Sequence, residues 1–260
     1  MPKSSPLSTT RPYNIAALES AIHILELVGH EPGLRLQGLV ERSGLNKSHV
    51  FRILRNLQDH ALVWQDDVGA YRLGQAAYLL GKRAESQWSL TRAARRTLDD
   101  LSAATHENVH LVVRDDLHSV VVDLRESPHP IRMYAAVGRI GPLHAGGTPK
   151  VLLAYAGEDV LRRVLNAGLP SFTAHTTADP AELRAVLDDI RREGSHVAIA
   201  DLEDGTFSIA APIFDHEGRA VAAVSVAGPL LRFDDERRGR YRRLVVEAAR
   251  RISRDLGFKP

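Results

Sequence analysis

The apolar spacing in residues 45–62, LNKSHVFRILRNLQDHAL, constrains the fold of this chain more than any other stretch. Its apolar positions follow at i, i+3, i+4, i+7 and i+11: Val50, Ile53, Leu54, Leu57 and Ala61. This spacing places them on one face of an α-helix, and such a face is expected to pack on a core. Asn46 suits the N-cap, because its side-chain oxygen can accept an amide proton of the first turn. The helix is therefore predicted to begin near Lys47.

The opposite face of this predicted helix is cationic and polar. No acidic residue precedes Asp59 on this face, which carries Lys47, Ser48, His49, Arg52, Arg55 and Asn56. A shorter amphipathic pattern at residues 36–40 comes before it, and a turn containing Gly44 separates the two. Two short helices around a Gly-containing turn are typical of a helix-turn-helix, although a plain three-helix core gives the same pattern.

A helix-turn-helix predicts a role for each polar residue of the second helix. Inserted into the major groove of DNA, this helix would bring His49 and Arg52 to base edges. Lys47 and Ser48 lie in its first turn, where free backbone amides also attract phosphate, so both are predicted to hold phosphates. The predicted DNA-binding residues are Asn46, Lys47, Ser48, His49, Arg52 and Arg55.

The neighbouring segments favour a winged form of this domain. Residues 15–28 have the spacing of a first helix, ended by residues 29–33. Residues 63–65 and 70–73 flank a loop containing Gly69, which predicts a β-hairpin. Three helices followed by a hairpin predict a winged helix-turn-helix over residues 13–75. Its loop carries Asp66 and Asp67, so we do not expect the tip to contact phosphates.

The rest of the chain predicts a linker and a second domain with mixed helices and strands. Residues 1–12 are rich in Ser, Thr and Pro and predict a disordered tail. Residues 76–89 predict a linker helix, and residues 90–260 an effector-binding domain. The spacing of apolar residues changes from helical to strand-like near His110. Two runs rich in β-branched residues follow and predict a pair of strands. A third strand is expected near residues 131–137, with a turn at 138–142. A long hairpin is expected at 207–228, with Asp234 capping a last helix.

Composition excludes several classes of protein. The chain of 260 residues has no cysteine, which excludes disulfides, Fe–S clusters and thiolate zinc sites. No stretch approaches 18 apolar residues and the N-terminus has no apolar signal segment, so we expect a cytoplasmic protein without membrane contact. The net charge of +2 is too small to indicate nucleic acid by itself.

The sequence H-E-N-V-H at residues 106–110 matches a zinc-hydrolase motif. On a helix, the two imidazoles of that motif share one face and Glu107 would act as general base. Here the helix pattern ends near Ala104 and His110 begins a β-branched run. We therefore predict no metal site and no catalytic residue, and keep a metal-dependent hydrolase as a minor alternative.

Residues 143–153, LHAGGTPKVLL, form a Gly-rich loop that leads into a helix. Thr148 suits the N-cap and Pro149 the first helical position. Free amides at such a helix start favour a small anion, although a capped structural helix has the same sequence pattern. The segment lacks the Gly-Lys-Ser/Thr sequence that ends a P-loop.

Taken together, these segments resemble the isocitrate lyase regulator (IclR) family of bacterial transcriptional regulators, from about Ala17 to Gly257. The resemblance lies in ALESAIHILELV, LNKSHVFRILRNLQDHALV with YRLG after the wing, HENVHLVV, VGRIGPLHAGGTPKVLLA and GTFSIAAPIFDHEGRAVAAVSVAGP. It implies an α+β chain with an N-terminal winged helix-turn-helix, a linker helix and a C-terminal GAF-like α/β effector-binding domain. It also implies a homodimer, or a dimer of dimers, on double-stranded operator DNA.

The resemblance further implies a site for a small carboxylic acid effector. The positions that match the family's ligand contacts are Gly147, Thr148, Ser208 and Ser225. Three residues depart from the family pattern. Pro149 stands where the family usually has Gly. Ala198 stands where many members have Asp, and Ala227 stands where some have Ser. These changes remove polar groups, so we expect an effector less polar than glyoxylate or pyruvate, or a carboxylate with an apolar or aromatic tail.

The sequence therefore predicts a ligand-responsive DNA-binding regulator that needs no cofactor. A DNA-binding or architectural protein without a small-molecule ligand is the main alternative. Both repression and activation are compatible with the pattern.

Overall fold

The computed structural model describes residues 15–87 and 89–259, and the predicted disordered tail lies outside the described residues. The chain divides after Gln87 into two compact units, which we call the N-terminal unit and the C-terminal unit. None of the described helices is long and apolar enough to cross a membrane.

The N-terminal unit packs three helices on one small core, with a hairpin and a fourth helix after them. Its elements are α1 (Ala16–His30), α2 (Leu36–Ser43), α3 (Lys47–Asp59), β1 (Val63–Gln65), β2 (Tyr71–Leu73) and α4 (Gln75–Gln87). The predicted apolar stripe of α3 is buried at Val50, Ile53, Leu54 and Leu57, where it meets Ile24 of α1. Gly44 ends α2 with φ 68°, a left-handed conformation that glycine adopts without strain.

The hairpin loop is closed by Asp66. Its Oδ1 accepts the amides of Val68 and Ala70, and its Oδ2 accepts Nε of Arg72 at 3.1 Å. These bonds hold the pKa of Asp66 below its ordinary value; the Ala70 amide lowers it most, and the bond to Arg72 adds to this. The side chain is therefore occupied within the loop itself.

The C-terminal unit has a sheet with helices on both faces. Its helices are α5 (Ser89–Thr105), α6 (Gly147–Ala154), α7 (Glu158–Ala167), α8 (Pro180–Glu193) and α9 (Asp235–Asp255). Its strands are β3 (Asn108–Asp115), β4 (His118–Arg125), β5 (Ile140–Pro142), β6 (His196–Ile199), β7 (Thr206–Phe214) and β8 (Ala220–Pro229). Within residues 89–259 they form one antiparallel six-stranded sheet in the order β5-β4-β3-β8-β7-β6.

Alternation along the strands divides the C-terminal unit into two cores. Leu111, Ile209 and Val224 point to the face covered by α5 and α9. Val112 and Ala210, one position along, point to the face covered by α6, α7 and α8. Successive strand residues face opposite sides, so every second residue of β3, β7 and β8 is directed toward the α6 side.

The structure corrects the prediction of a third strand near residues 131–137. That segment pairs with no described strand, and β5 forms at Ile140–Pro142, inside the predicted turn. β5 pairs with His118, Ser119 and Val120 of β4, and residues 131–137 form no ladder with the rest of that strand. Their apolar side chains mimic a strand pattern, but Ile131 and Tyr134 are exposed. Helix α7 and strand β6 were not predicted.

Candidate functional site

The outward face of α3 presents the six residues predicted to bind DNA. Asn46 caps the helix as expected, because its Oδ1 accepts the His49 amide at 2.8 Å. The side chains of Lys47, Ser48, Arg52 and Arg55 are exposed, and His49 is half-buried at the edge of the face. In the described part of the chain, no carboxylate forms an ion pair with Lys47, Arg52 or Arg55. The helix therefore offers a cationic surface whose charges no described carboxylate neutralises.

Phe51 also lies on this surface and was missed by sequence reasoning. Its side chain is 48% exposed on α3. A helical wheel would have found it, because residue 51 falls on the same side as Lys47 and Arg55 at 100° per residue. A phenyl ring on a cationic face adds an apolar group of the kind that contacts the methyl group of thymine.

The H-E-N-V-H segment does not form the face of a helix. Helix α5 ends at Thr105, and His106 turns the chain with φ 56°. Glu107 is buried and paired with Arg232, whose Nη2 lies 2.6 Å from its Oε2. His110 is the third residue of β3, so the two imidazoles belong to different elements. Among the described residues, no cluster of three or more His, Asp or Glu side chains could hold a metal ion.

The four residues predicted to bind the effector line one cavity of about 120 Å³. Gly147 and Thr148 come from the start of α6, Ser208 from β7 and Ser225 from β8. The two serines reach the same space because each occupies a position directed toward the α6 side of the sheet. The apolar part of the wall includes Val112, Val121, Ile140, Pro149, Ala198, Leu202 and Ala227.

Close packing fixes the start of α6 against the sheet. A Cβ on Gly147 would lie 2.7 Å from Oγ of Ser208 and 3.0 Å from its Cβ. Only glycine allows this approach, which brings the start of the helix beside Ser208. Ser225 lies opposite His110 in the sheet, with its Oγ 3.5 Å from Nδ1 of the imidazole.

The structure corrects the predicted cap of α6. Gly146, not Thr148, is the N-cap residue; it has φ 92°, and the helix begins at Gly147. Thr148 and Pro149 are then the second and third helical residues. The proline still removes an amide, and a carboxylate from the loop between β6 and β7 meets the helix start: Oδ2 of Asp201 accepts the Gly146 amide at 2.6 Å. The amides of Gly147 and Thr148 meet no acceptor among the described residues.

A buried ion pair lies beneath this helix start and was not predicted. Nζ of Lys150 is 2.8 Å from Oδ2 of Asp201, and both side chains are 4% exposed. The same ammonium lies 2.9 Å from Oγ1 of Thr177. Sequence patterns cannot find this pair, because 51 positions separate its members and neither stands in a recognisable motif.

An ion pair and a histidine set the charge of the cavity. Arg139 and Glu203 both line it and form an ion pair, and Nη1 of Arg139 donates to the Tyr134 carbonyl. Burial, together with a smaller effect of the positive charge of Arg139, lowers the pKa of His110 to about 4. His110 is therefore a neutral hydrogen-bonding group near pH 7.

Comparison with known families follows the division seen in the structure. Residues 17–67 match the IclR helix-turn-helix domain, and residues 83–254 match the C-terminal domain of bacterial IclR transcriptional regulators. The chain belongs to the IclR family of transcriptional regulators. This finding also opposes the hydrolase alternative, because the curated relatives are regulators.

Individual IclR-family members match over nearly the whole chain. The HTH-type transcriptional regulator KipR of Bacillus subtilis is 31% identical over 90% of this chain and 94% of its own length. The crystal structure of an IclR regulator from Alicyclobacillus acidocaldarius superposes with a TM-score of 0.87 at 26% identity, covering 94% of this chain and all of that one. An IclR homologue from Microbacterium hydrocarbonoxydans, solved in complex with 4-hydroxybenzoate, has a TM-score of 0.84 at 25% identity over 93% of this chain and 99% of that one.

Proposed function

We propose that this IclR-family regulator binds operator DNA through α3 and senses a small organic acid in the cavity of its C-terminal unit. The observation that carries the second part is the start of α6. Two free amides, at Gly147 and Thr148, open into a cavity that also contains the hydroxyls of Ser208 and Ser225. Unpaired amides at a helix N-terminus favour an anion, and hydroxyls can donate to its remaining oxygens. The protein would act in the cytoplasm, where its operator is.

Cavity size and wall chemistry support an acid with a compact apolar body. An apolar cavity of about 150 Å³ holds benzene, so a space of about 120 Å³ suits one ring or a short branched chain. Ala198 and Ala227 contribute only methyl groups to the wall. The related regulator solved with 4-hydroxybenzoate supports the same size and class of ligand.

A calorimetric comparison of small acids tests the ligand proposal. Benzoate and 4-hydroxybenzoate are expected to bind the full chain and to raise its melting temperature, because binding to the native state stabilises it by mass action. Tight binding of pyruvate with no binding of the larger acids would contradict the apolar-body proposal. No response to any small organic acid would leave the alternative of a DNA-binding regulator without a ligand.

For DNA, the exposed charges of α3 support insertion into the major groove. Lys47 and Ser48 are assigned to phosphates, and His49 and Arg52 to base edges. Arg55 lies near the middle of the exposed face, and Phe51 beside it is assigned to a thymine methyl. Phosphate contacts make the affinity fall as salt rises, while base contacts give the sequence preference.

Substitutions in α3 test this assignment. Arg52→Ala should weaken operator binding and His49→Ala should relax base preference, each by about 1–3 kcal/mol if the contact is a good one. Arg162→Ala, on α7 of the other unit, provides a matched loss of one exposed arginine. Equal operator affinities for wild type, Arg52→Ala and His49→Ala in gel shifts would show that α3 does not enter the groove.

An exposed apolar stripe supports a homodimer. Ile15, Leu18 and Ile22 stand three and four residues apart at the start of α1 and are 63%, 54% and 46% exposed. Two copies that join such stripes would present two recognition helices to a palindromic operator. Leu18→Glu is expected to shift sedimentation toward monomer and to weaken operator binding, whereas Glu19→Gln on the same helix should change neither. An unchanged dimer in Leu18→Glu would place the interface elsewhere.

A further inference from the structure

A second cavity, of about 410 Å³, lies in the described part of the C-terminal unit. Its wall is formed by α9, by the later residues of β7 and by the ends of α6 and α8. No residue that lines it also lines the cavity at the start of α6. Its volume falls within the range of about 300–1,000 Å³ that is typical of small-molecule sites. The second cavity is therefore a separate candidate for a ligand.

Three aromatic rings give this second cavity an apolar surface. Tyr155 meets Phe214 edge-on with ring centroids 5.3 Å apart, and Phe214 stacks on Phe258 at 5.2 Å. All three side chains line the cavity and are only partly buried. Flat apolar bodies pack favourably on such rings, either offset or edge-on. An apolar cavity of about 150 Å³ holds benzene, so the second cavity has room for about two or three rings.

Two arginines without a carboxylate partner also line the second cavity. Arg250 and Arg254 are exposed and lie four residues apart on α9, which places them on one face of the helix. Among residues 15–87 and 89–259, no carboxylate pairs with either of them. Like charges at this spacing repel each other, and an anion bound between them would remove that repulsion. A guanidinium suits a carboxylate in particular, because it can donate two parallel hydrogen bonds to it.

The other polar groups of the wall do not compensate these positive charges. Glu193 is occupied, because Nη2 of Arg242 donates to its Oε2 at 2.7 Å, and this bond lowers the pKa of the carboxyl. Oγ of Ser253 donates to a carbonyl of its own helix and accepts the Phe214 amide. The hydroxyl of Tyr155 has no hydrogen-bond partner in the described part of the chain. Burial raises the pKa of Tyr155, so this hydroxyl is a neutral donor near pH 7.

We propose that the second cavity binds an organic acid with an apolar body of about two or three rings, whose carboxylate is held by Arg250 and Arg254. Such an acid is too large for the cavity at the start of α6, which has a volume of about 120 Å³. A compact acid such as benzoate would fill only part of the second cavity. This proposal goes beyond the proposed function and does not depend on the ligand assigned to the first cavity.

Two naphthalene derivatives of matched shape test this proposal. 2-Naphthoate and 2-naphthamide have the same pair of rings, but the amide carries no charge. In titration calorimetry with the full chain, 2-naphthoate should bind about tenfold or more tightly than 2-naphthamide, because hydrogen bonds between two charged groups are strong. Equal affinities would overturn the assignment of an acid. Absence of binding by both compounds would overturn the site itself.

Substitutions on α9 assign the preference to the two arginines. In the double variant Arg250→Gln with Arg254→Gln, 2-naphthoate should bind no more tightly than 2-naphthamide. The affinity for 2-naphthamide should stay at the wild-type level, which also reports that the cavity is folded. Arg243→Gln is the matched control, because Arg243 is an exposed arginine of α9 outside the cavity and pairs with no described carboxylate. A preference for 2-naphthoate that survives the double variant, or disappears in Arg243→Gln, would overturn the role of Arg250 and Arg254.

A filling substitution separates the two cavities. Val246 is half-buried in the wall of the second cavity, so Val246→Trp would occupy part of its space. Binding of 2-naphthoate should be lost in this variant, while benzoate, assigned to the first cavity, should bind as to wild type. Undiminished binding of 2-naphthoate would place it elsewhere and overturn the proposal. If Val246→Trp does not fold, the arginine variants still decide. If benzoate does not bind even to wild type, the proposed function fails, and the naphthalene pair still decides about the second cavity.

Discussion

The outward face of α3 and the cavity behind α6 use polar residues in different ways. On α3, the charged groups are exposed, unpaired within the described chain and supported by an apolar stripe that does not involve them. At the cavity, Asp201 of the wall is buried and forms an ion pair with the equally buried Lys150. The first surface can change without disturbing its fold, whereas the second carries part of the fold itself.

This difference predicts how substitutions divide between stability and function. A side chain of the α3 face, such as Arg52, should affect DNA affinity and leave unfolding unchanged within about 0.5 kcal/mol. A cavity residue should affect both properties in proportion to its share of the buried network.

The largest effect is expected for Lys150→Met. It removes one partner of a buried ion pair and leaves Asp201 as an uncompensated charge, which typically costs about 3–5 kcal/mol. Urea unfolding followed by circular dichroism should show this loss in the transition of the C-terminal unit. Arg52→Ala is the control, because it also removes one positive charge but from an exposed position.

The double variant Lys150→Met with Asp201→Asn sharpens this result. Because neither charge remains, it should recover most of the lost stability. If the single Lys150→Met variant were as stable as wild type, the ion pair would contribute little to the fold and the contrast with α3 would fail.

The same contrast explains what the sequence could predict. The face of α3, its Asn46 cap and the long hairpin of β7 and β8 follow from periodicity and turn residues within short segments, and the structure has them as predicted. Local information failed at residues 131–137, where a strand-like pattern of apolar residues stays exposed and joins no ladder. It failed again at the start of α6, where the amide of the N-cap Gly146 donates to Asp201, 55 positions along the chain.

The cavity as a whole lay beyond such local rules. Gly147 and Ser208 were named through resemblance to a family, and nothing in their spacing predicts that a Cβ on one would strike the other. The partner of Lys150 is likewise set by the path of the chain in three dimensions. Such pairs become visible only once the strands are in register.

The stability of the C-terminal unit is expected to depend on pH through His110. Burial and Arg139 lower the pKa of His110 from an ordinary value of 6.5 to about 4 in the folded chain. The unfolded state therefore binds more protons between these values, so stability should rise with pH across that window and stay level above it. For His110 the expected change is on the order of 3 kcal/mol.

Urea titrations of wild type and His110→Gln at several pH values test this shift. The stability gap between the two proteins should change between about pH 4 and 6.5, because the glutamine does not titrate. Other buried groups, such as His196, titrate in both proteins and cancel in the comparison. A gap that does not vary with pH would mean that the imidazole is solvated in the folded state.

A smaller effect is expected for Gly147→Ala. The added Cβ would lie 2.7 Å from Oγ of Ser208, so the helix start or the strand must move. Overpacking of this kind typically costs about 1–3 kcal/mol, and the displaced amides should no longer hold an acid. Gly81→Ala provides the control, since a Cβ there meets nothing within 4 Å. If calorimetry shows unchanged acid binding in Gly147→Ala, the α6 amides do not bind the acid.

The smallest effect is expected for Ser225→Ala, and it tests whether any cavity residue behaves like the α3 face. Its hydroxyl contributes one neutral hydrogen-bonding group, placed 3.5 Å from Nδ1 of His110, and supports no buried charge. Acid affinity should therefore fall by about 0.5–1.5 kcal/mol, which calorimetry can resolve, while effector-free operator binding in a gel shift stays at the wild-type level. Loss of acid affinity and operator binding together would show that Ser225, like Lys150, acts through the fold.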